Sequence, residues 1–209
     1  MTQLEAFYSS LDEKDFVSSI RTGLWFTETE ARLEAFLRVG MADSAANLDY
    51  SGSDDSAIWR EHCRSELLNV VLANLRLSIE AYYVKNKKGA APVVVTTPAG
   101  EKHDLGAKVT TALLRLKGFN ARFTGADLPA KALLSLVDSV NPAAVVFSVA
   151  HHVNLVALKD TVSLLRKSHP QLLIAVGGAP IAQNAQAFKE VEAVFDHEVL
   201  YELIRGELR

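Results

Sequence analysis

The chain has 209 residues and a single cysteine, Cys63, which excludes an internal disulfide framework and a cysteine-rich metal site. It has no run of 18 apolar residues, and its start, Met1-Thr-Gln-Leu-Glu-Ala6, lacks a basic n-region and an apolar h-region. No membrane span is therefore expected, and the cytoplasm is the expected location. Basic charge is also short. Lys and Arg number 22 against 25 Asp and Glu, a formal charge of −3, so the electrostatic footprint of a direct nucleic-acid binder is missing. The basic run Lys85-Asn-Lys-Lys88 reads as a solvated linker. Proline is absent from residues 1–84; all six prolines fall at Pro92 or later.

What is present has two rhythms. Apolar residues make up 49% of the chain and charged residues 22%, an ordinary globular composition, and the length allows a substantial core. Residues 1–85 read as a helical bundle. A helix is expected over Leu11–Ile20 with Phe16, Val17 and Ile20 at helical spacing, and another over Thr27–Val39. Thr27 and Glu30 stand in capping-box spacing, and Gly40 reads as a stop. After a loop, Ser53 reads as the N-cap of a long central helix running to about Val84, with Asp54 and Asp55 in its first turn. That helix is apolar around more than half its circumference.

Asn86-Lys-Lys-Gly-Ala-Ala-Pro92 reads as a linker, and residues 91–209 alternate strands with helices. Strands are expected at Val93–Thr97, Phe119–Thr124, Ala143–Ser148 and Leu172–Val176. Helices are expected at Gly106–Lys117, Pro129–Val140, Asn154–Lys167 and Ala182–Val191, the first stopped by Gly118. The fold class is thus α/β: an N-terminal helical bundle followed by an open, Rossmann-like (flavodoxin-like) parallel sheet. Such sheets take ligands beyond the carboxyl ends of their strands.

Three segments lie at those ends: Glu101-Lys-His-Asp-Leu-Gly106, Ser148-Val-Ala-His-His152 and Val176-Gly-Gly-Ala-Pro180. The first is neither a dinucleotide-binding G-x-G-x-x-G run nor a P-loop. A neutral imidazole with a carboxylate on its far nitrogen suits a transition metal, because the acid fixes the tautomer and strengthens the donor nitrogen. Ser148 at the end of a neighbouring strand could extend the hydrogen-bond chain. Gly177 and Gly178 would leave bare backbone beside a bulky ligand. Taken singly, Glu101 and His103 could equally cap a helix, Ser148 be a routine strand end, and Gly177-Gly178 a turn.

Taken together they resemble the cobalamin-binding domain family, whose pattern is D-x-H-x-x-G, S-x-L and G-G at set intervals. Here Glu101-x-His103-x-x-Gly106 is followed, across residues 107–147, by Ser148-Val-Ala150 and then, across residues 151–176, by Gly177-Gly178. The resemblance implies His103 as the lower axial ligand of cobalt, with Glu101 bonded behind it. It implies Ser148 and Ala150 near the cofactor's buried benzimidazole tail, with Gly106, Gly177 and Gly178 giving that tail room. The helical half resembles the bundle that caps the upper face of the corrin in cobalamin-dependent photoreceptor regulators. Glu61-His62 looks like their Glu-His pair, which makes His62 a candidate upper ligand. The tryptophan of that type is replaced by Ser51; Tyr50 and Trp59 do not match its position. Two further departures are Glu101 where methyl-transferring enzymes carry aspartate, and Ala150 where leucine is common. His151 and His152 read as caps or surface residues, or as groups that reach the corrin rim or a second metal-bound form.

The function expected from this resemblance is a stand-alone regulator. It would hold adenosyl-, methyl- or hydroxocobalamin, respond to light or redox state, and act on a protein partner such as a transcription factor or repressor. No enzyme activity of its own, no direct nucleic-acid contact and no membrane are expected. The alternatives are a corrinoid carrier protein of a methyltransferase system, and a haem sensor of the same fold with Cys63, His62, His151 or His152 as second ligand.

Overall fold

Thr2 and Glu5 open the first helix as a reciprocal cap. The Thr2 hydroxyl accepts from the Glu5 N–H at 3.2 Å, and the Thr2 N–H donates to the Glu5 carboxylate at 2.7 Å. This helix, α1, spans Gln3–Asp12 in a computed structural model that describes residues 1–42, 44 and 55–208. Tyr50, Ser51 and the expected cap at Ser53 with Asp54 lie outside the described residues. The chain divides into two units, Met1–Asn86 and Lys87–Arg209.

In the first unit the expected helix over Leu11–Ile20 is the junction of two. Lys14 takes φ 56°, which ends α1, and Asp15 caps α2 (Phe16–Trp25) by accepting from the Ser18 N–H at 3.0 Å. Phe16 and Val17 are exposed, so their spacing marks the outer face of α2. Thr29, two residues beyond the expected Thr27, caps α3 (Glu30–Ala35) by accepting from the Arg32 N–H at 3.3 Å. Thr27 instead donates to the Leu24 carbonyl. The helix also runs past Gly40. It widens into a π turn over Phe36–Met41, with Gly40 buried where a Cβ would press on the Phe36 ring.

The long helix α4 covers Asp55–Asn86 and buries Leu67, Leu68, Val71, Leu75 and Ile79 along one stripe. Each such side chain contributes roughly 1.5–3 kcal/mol over its exposed state. Leu77 and Val84 point outward, so the apolar face is narrower than the composition of the segment suggests. No helix among the described residues is long and apolar enough to cross a membrane.

The second unit is a five-stranded parallel sheet in the order β2-β1-β3-β4-β5. The strands are β1 (Pro92–Thr96), β2 (Asn120–Phe123), β3 (Ala144–Ser148), β4 (Leu173–Gly177) and β5 (Glu192–Ala193). Helices α5 (Leu105–Leu116), α6 (Ala130–Val140) and α7 (Leu155–Ser168) make the crossovers. Val94 of β1, Val145 and Phe147 of β3 and Ile174 and Val176 of β4 pack with Leu158 and Val162 of α7 in the main core. Burial on both faces is why these strands read as unbroken β-branched runs. Gly118, at φ 87°, ends the α5 region.

The C-terminal part departs from expectation. Only Ala179–Gln183 (α8) and a 3₁₀ turn at Ala185–Phe188 occupy the region expected as a helix to Val191. Beyond them come the two-residue β5 and a further helix, α9 (His197–Glu207). Asp196 caps α9 by accepting from the Glu198 N–H at 2.6 Å, and Leu200, Tyr201 and Ile204 are buried beneath it.

Gly178 follows β4 at φ 117° and ψ 162°, a region open to glycine alone, and a Cβ there would collide with the Val149 carbonyl oxygen. Gly125 has φ 96° with open space around it. Gly178→Ala is therefore expected to cost about 3 kcal/mol or more, or to leave the protein insoluble. Gly125→Ala is expected to cost only the left-handed penalty of about 1–2 kcal/mol. Urea midpoints of the purified variants check this ordering.

Candidate functional site

The chain leaves β1 toward β2 and leaves β3 toward β4, so the sheet reverses its winding between β1 and β3. The crevice beyond those two strand ends is the natural ligand site of such a sheet. Residues 97–104 enter it from β1 and residues 149–154 from β3. One side chain joins them.

The Glu101 carboxylate is fully buried. Its Oε1 accepts from the His103 N–H at 3.1 Å and from His103 Nδ1 at 2.6 Å. Its Oε2 accepts from the N–H groups of Ala150 and His151, both at 2.9 Å, and from Asn154 Nδ2 at 2.8 Å. Burial pushes this carboxyl up. The hydrogen bonds from Asn154, His103 and the His151 backbone more than offset that and hold it below the usual carboxylate range. An ionised carboxylate only accepts, so the neutral form of His103 carries its proton on Nδ1 and its lone pair on Nε2. The His103 side chain is 36% exposed, enough to offer that lone pair to a ligand.

The loop is braced from a third side. Buried Thr97 donates to the Glu101 carbonyl at 2.8 Å and accepts from the Asp127 N–H at 2.9 Å. The Asp127 carboxylate in turn accepts from the Gly100 N–H at 2.6 Å. Sequence reasoning missed both Thr97 and Asn154. Asn154 stands at the start of α7 but makes no side-chain cap there, because its amide is committed to Glu101.

Ser148 is not on this chain of bonds, contrary to expectation; the position is filled by Asn154. The Ser148 hydroxyl instead lies where a Cβ on Gly106 would come within 2.8 Å of it. Ser148 pairs with Gly177 across the β3–β4 register, and the Val149 N–H donates to the Gly177 carbonyl at 3.0 Å. A Cβ at Gly177 would come within 3.0 Å of the Val194 carbonyl oxygen, and one at Gly178 would strike Val149. Bare backbone at both glycines is thus demanded by the protein's own chain. Ala150 contributes its N–H to Glu101.

Glu61 and His62 lie on α4 in the helical unit. Glu61 accepts from Ser65 Oγ at 2.8 Å, and His62 is largely exposed. Cys63 is free and exposed. His152 is also exposed, with Nδ1 at 3.4 Å from Asn184 Nδ2. Among the described residues no group of three or more His, Cys, Asp or Glu side chains could hold a metal ion. A metal at His103 must therefore bring most of its own ligands, as a corrin-bound cobalt does. The donor set fits that group.

Residues 91–202 match the family model described as the B12 binding domain. The chain belongs to the B12 binding domain family. Corrinoid binding follows from that membership. The chain is 29% identical over 125 residues to the methanol–corrinoid protein of Methanosarcina barkeri, covering 55% of this chain and 48% of that one. It is 27% identical over 93 residues to dimethylamine corrinoid protein 1 of Methanosarcina acetivorans, covering 44% of each. The chain thus spans about half the length of these two relatives. Among solved structures, the monomethylamine corrinoid protein of Methanosarcina barkeri superposes with a TM-score of 0.70 at 16% identity, over 97% of this chain and 95% of that one. A cobalamin-binding protein from Desulfitobacterium hafniense gives 0.53 at 18% identity, with both chains fully covered. These likenesses establish the fold.

Glu101→Gln keeps the side chain's size but replaces a charged acceptor of five hydrogen bonds with a neutral amide. At neutral pH this is expected to cost about 2–4 kcal/mol in urea unfolding. The carboxyl's value is depressed in the folded state, so its stabilisation is present above the unfolded value of about 4.3 and is lost as pH falls through the folded one. The gap between wild type and variant should therefore narrow on acidification to about pH 3. A gap independent of pH would show that the charge is not what holds the loops.

Proposed function

We propose that the protein is a corrinoid carrier that works with methyltransferase partners. In this reading His103 Nε2 would hold the cobalt of the corrinoid, and Glu101 would orient the ring and raise its donor strength. The observation that carries the proposal is the Glu101–His103 pair at the point where the sheet reverses its winding. Bound corrinoid supplies a cobalt centre able to accept and release a methyl group. The chain's own contribution is to hold one imidazole at a fixed place, in one tautomer, on a platform braced by Thr97, Asp127 and Asn154. Ser148, Gly106, Ala150, Gly177 and Gly178 cluster at the ends of β3 and β4 and the start of α5, beside this platform.

Relatives named for methanol and dimethylamine support carriage, as does likeness to the complex described as methanol:cobalamin methyltransferase from Methanosarcina barkeri (TM-score 0.52, 18% identity, 98% of this chain and 80% of that chain). The regulator acting on a transcription factor, and the haem sensor, find no support among these relatives, and carriage replaces them as the favoured reading. Glu101 in place of aspartate does not argue against it, since glutamate holds the imidazole at 2.6 Å.

Wild-type protein mixed with hydroxocobalamin should give the absorbance of a corrinoid whose benzimidazole has been replaced by imidazole. His103→Ala should lose that spectrum and on the order of 100-fold in affinity. Loaded with methylcobalamin and given a corrinoid-dependent methyltransferase and a thiol, the protein should yield methylated thiol. Intact imidazole ligation with no transfer to any thiol acceptor would overturn carriage. A shape change on illumination in its place would restore the sensor.

A further inference from the structure

Carriage leaves His151 without a task. Its ring lies against that of His103, with the two Nε2 atoms 3.4 Å apart, ring centres 4.3 Å apart and planes tilted by 57°. Both residues are fixed by the same acid, His103 through its ring and N–H and His151 through its N–H. Glu101 commits the His103 proton to Nδ1, so the nitrogen facing His151 is the one with the lone pair.

That contact is a ring-to-ring hydrogen bond, and an ion replacing its proton would find the two nitrogens at the separation it needs. Zn–N bonds of about 2.0–2.1 Å at a tetrahedral angle place two ligand nitrogens about 3.3–3.4 Å apart. We infer that, without corrinoid, His103 and His151 form a two-imidazole site for a divalent transition-metal ion such as Zn²⁺. The carboxylate behind His103 completes the acid–histidine–metal arrangement that orients such ligands. In the hydrogen bond between the rings the proton sits on His151 Nε2; when the ion binds, it moves through water to His151 Nδ1, so no net proton is released. The His151 ring turns outward until the ring centres stand about 5 Å apart, which aims both lone pairs at one point. His151 is only partly buried and precedes the 3₁₀ turn His152–Asn154, and the site requires its ring to make that rotation. Water fills the remaining positions, since the described residues supply no third ligand.

The same His103 nitrogen is thus offered to a free ion or to cobalt in a corrin, and the two exclude each other. The site rests on the histidine pair alone and does not require carriage.

Calorimetric titration of the apo protein with ZnSO₄ should show one site. Cu²⁺ in its place should give an electron paramagnetic resonance spectrum with two imidazole nitrogens. His151→Gln keeps the backbone N–H that serves Glu101; it should weaken Zn²⁺ at least about tenfold and reduce the copper spectrum to one nitrogen, yet still take up hydroxocobalamin. His103→Ala should weaken both ligands. Zn²⁺-saturated wild type should take up hydroxocobalamin slowly until a chelator is added. Unchanged Zn²⁺ affinity and copper spectrum in His151→Gln would overturn the site. Two-nitrogen metal binding in a protein that never takes up cobalamin would uphold it and defeat the carrier.

Discussion

A buried carboxylate is the constraint on which the rest of the site depends. An unpaired charge at Glu101 would cost several kcal/mol, and its five donors turn that liability into a fixed point. Two of those donors are backbone N–H groups of residues 150 and 151, which arrive only because β3 runs parallel to β1 with Val95 opposite Val146 and Thr96 opposite Phe147. Strand pairing therefore sets where the carboxylate can be satisfied, and the carboxylate sets where the imidazole of His103 stands. Fold and ligand chemistry are coupled through a single side chain.

The bracing follows the same logic around the loop. Thr97 carries two hydrogen bonds just beyond the end of β1, and the Asp127 carboxylate accepts one from the Gly100 N–H. Loops from three strands thereby hold the peptide that bears Glu101. A histidine mounted this way loses little freedom on meeting a metal, which is the preorganisation that ligand positioning needs.

Much of the sheet unit was legible because its cues are local. β-branched runs between polar ends placed β1 to β4 within a residue or two, and Gly118 and Pro129 marked the ends of helices. Failures came where tertiary packing or a distant partner decided. Lys14 in a left-handed conformation splits a continuous helical pattern, and Thr29 outcompetes Thr27 as a cap by one hydrogen bond to Arg32. β5 has two residues, too few for a periodic pattern, and its pairing with β4 alone defines it. In the site, Glu101 and His103 lie two residues apart and could be read directly. Asn154 could not, because its partner is 53 positions away and its place at a helix start suggested ordinary capping. Gly177 and Gly178 were legible as glycines, but the backbone that requires them belongs to Val149 and Val194.

Glutamate at position 101 is a longer arm than the aspartate common in methyl-transferring members of the resemblance, by one carbon–carbon bond of about 1.5 Å. Here the arm spans a gap, with one oxygen on the β1 side and the other on the β3 side. A shorter acid on this backbone would serve one bank and strand the other.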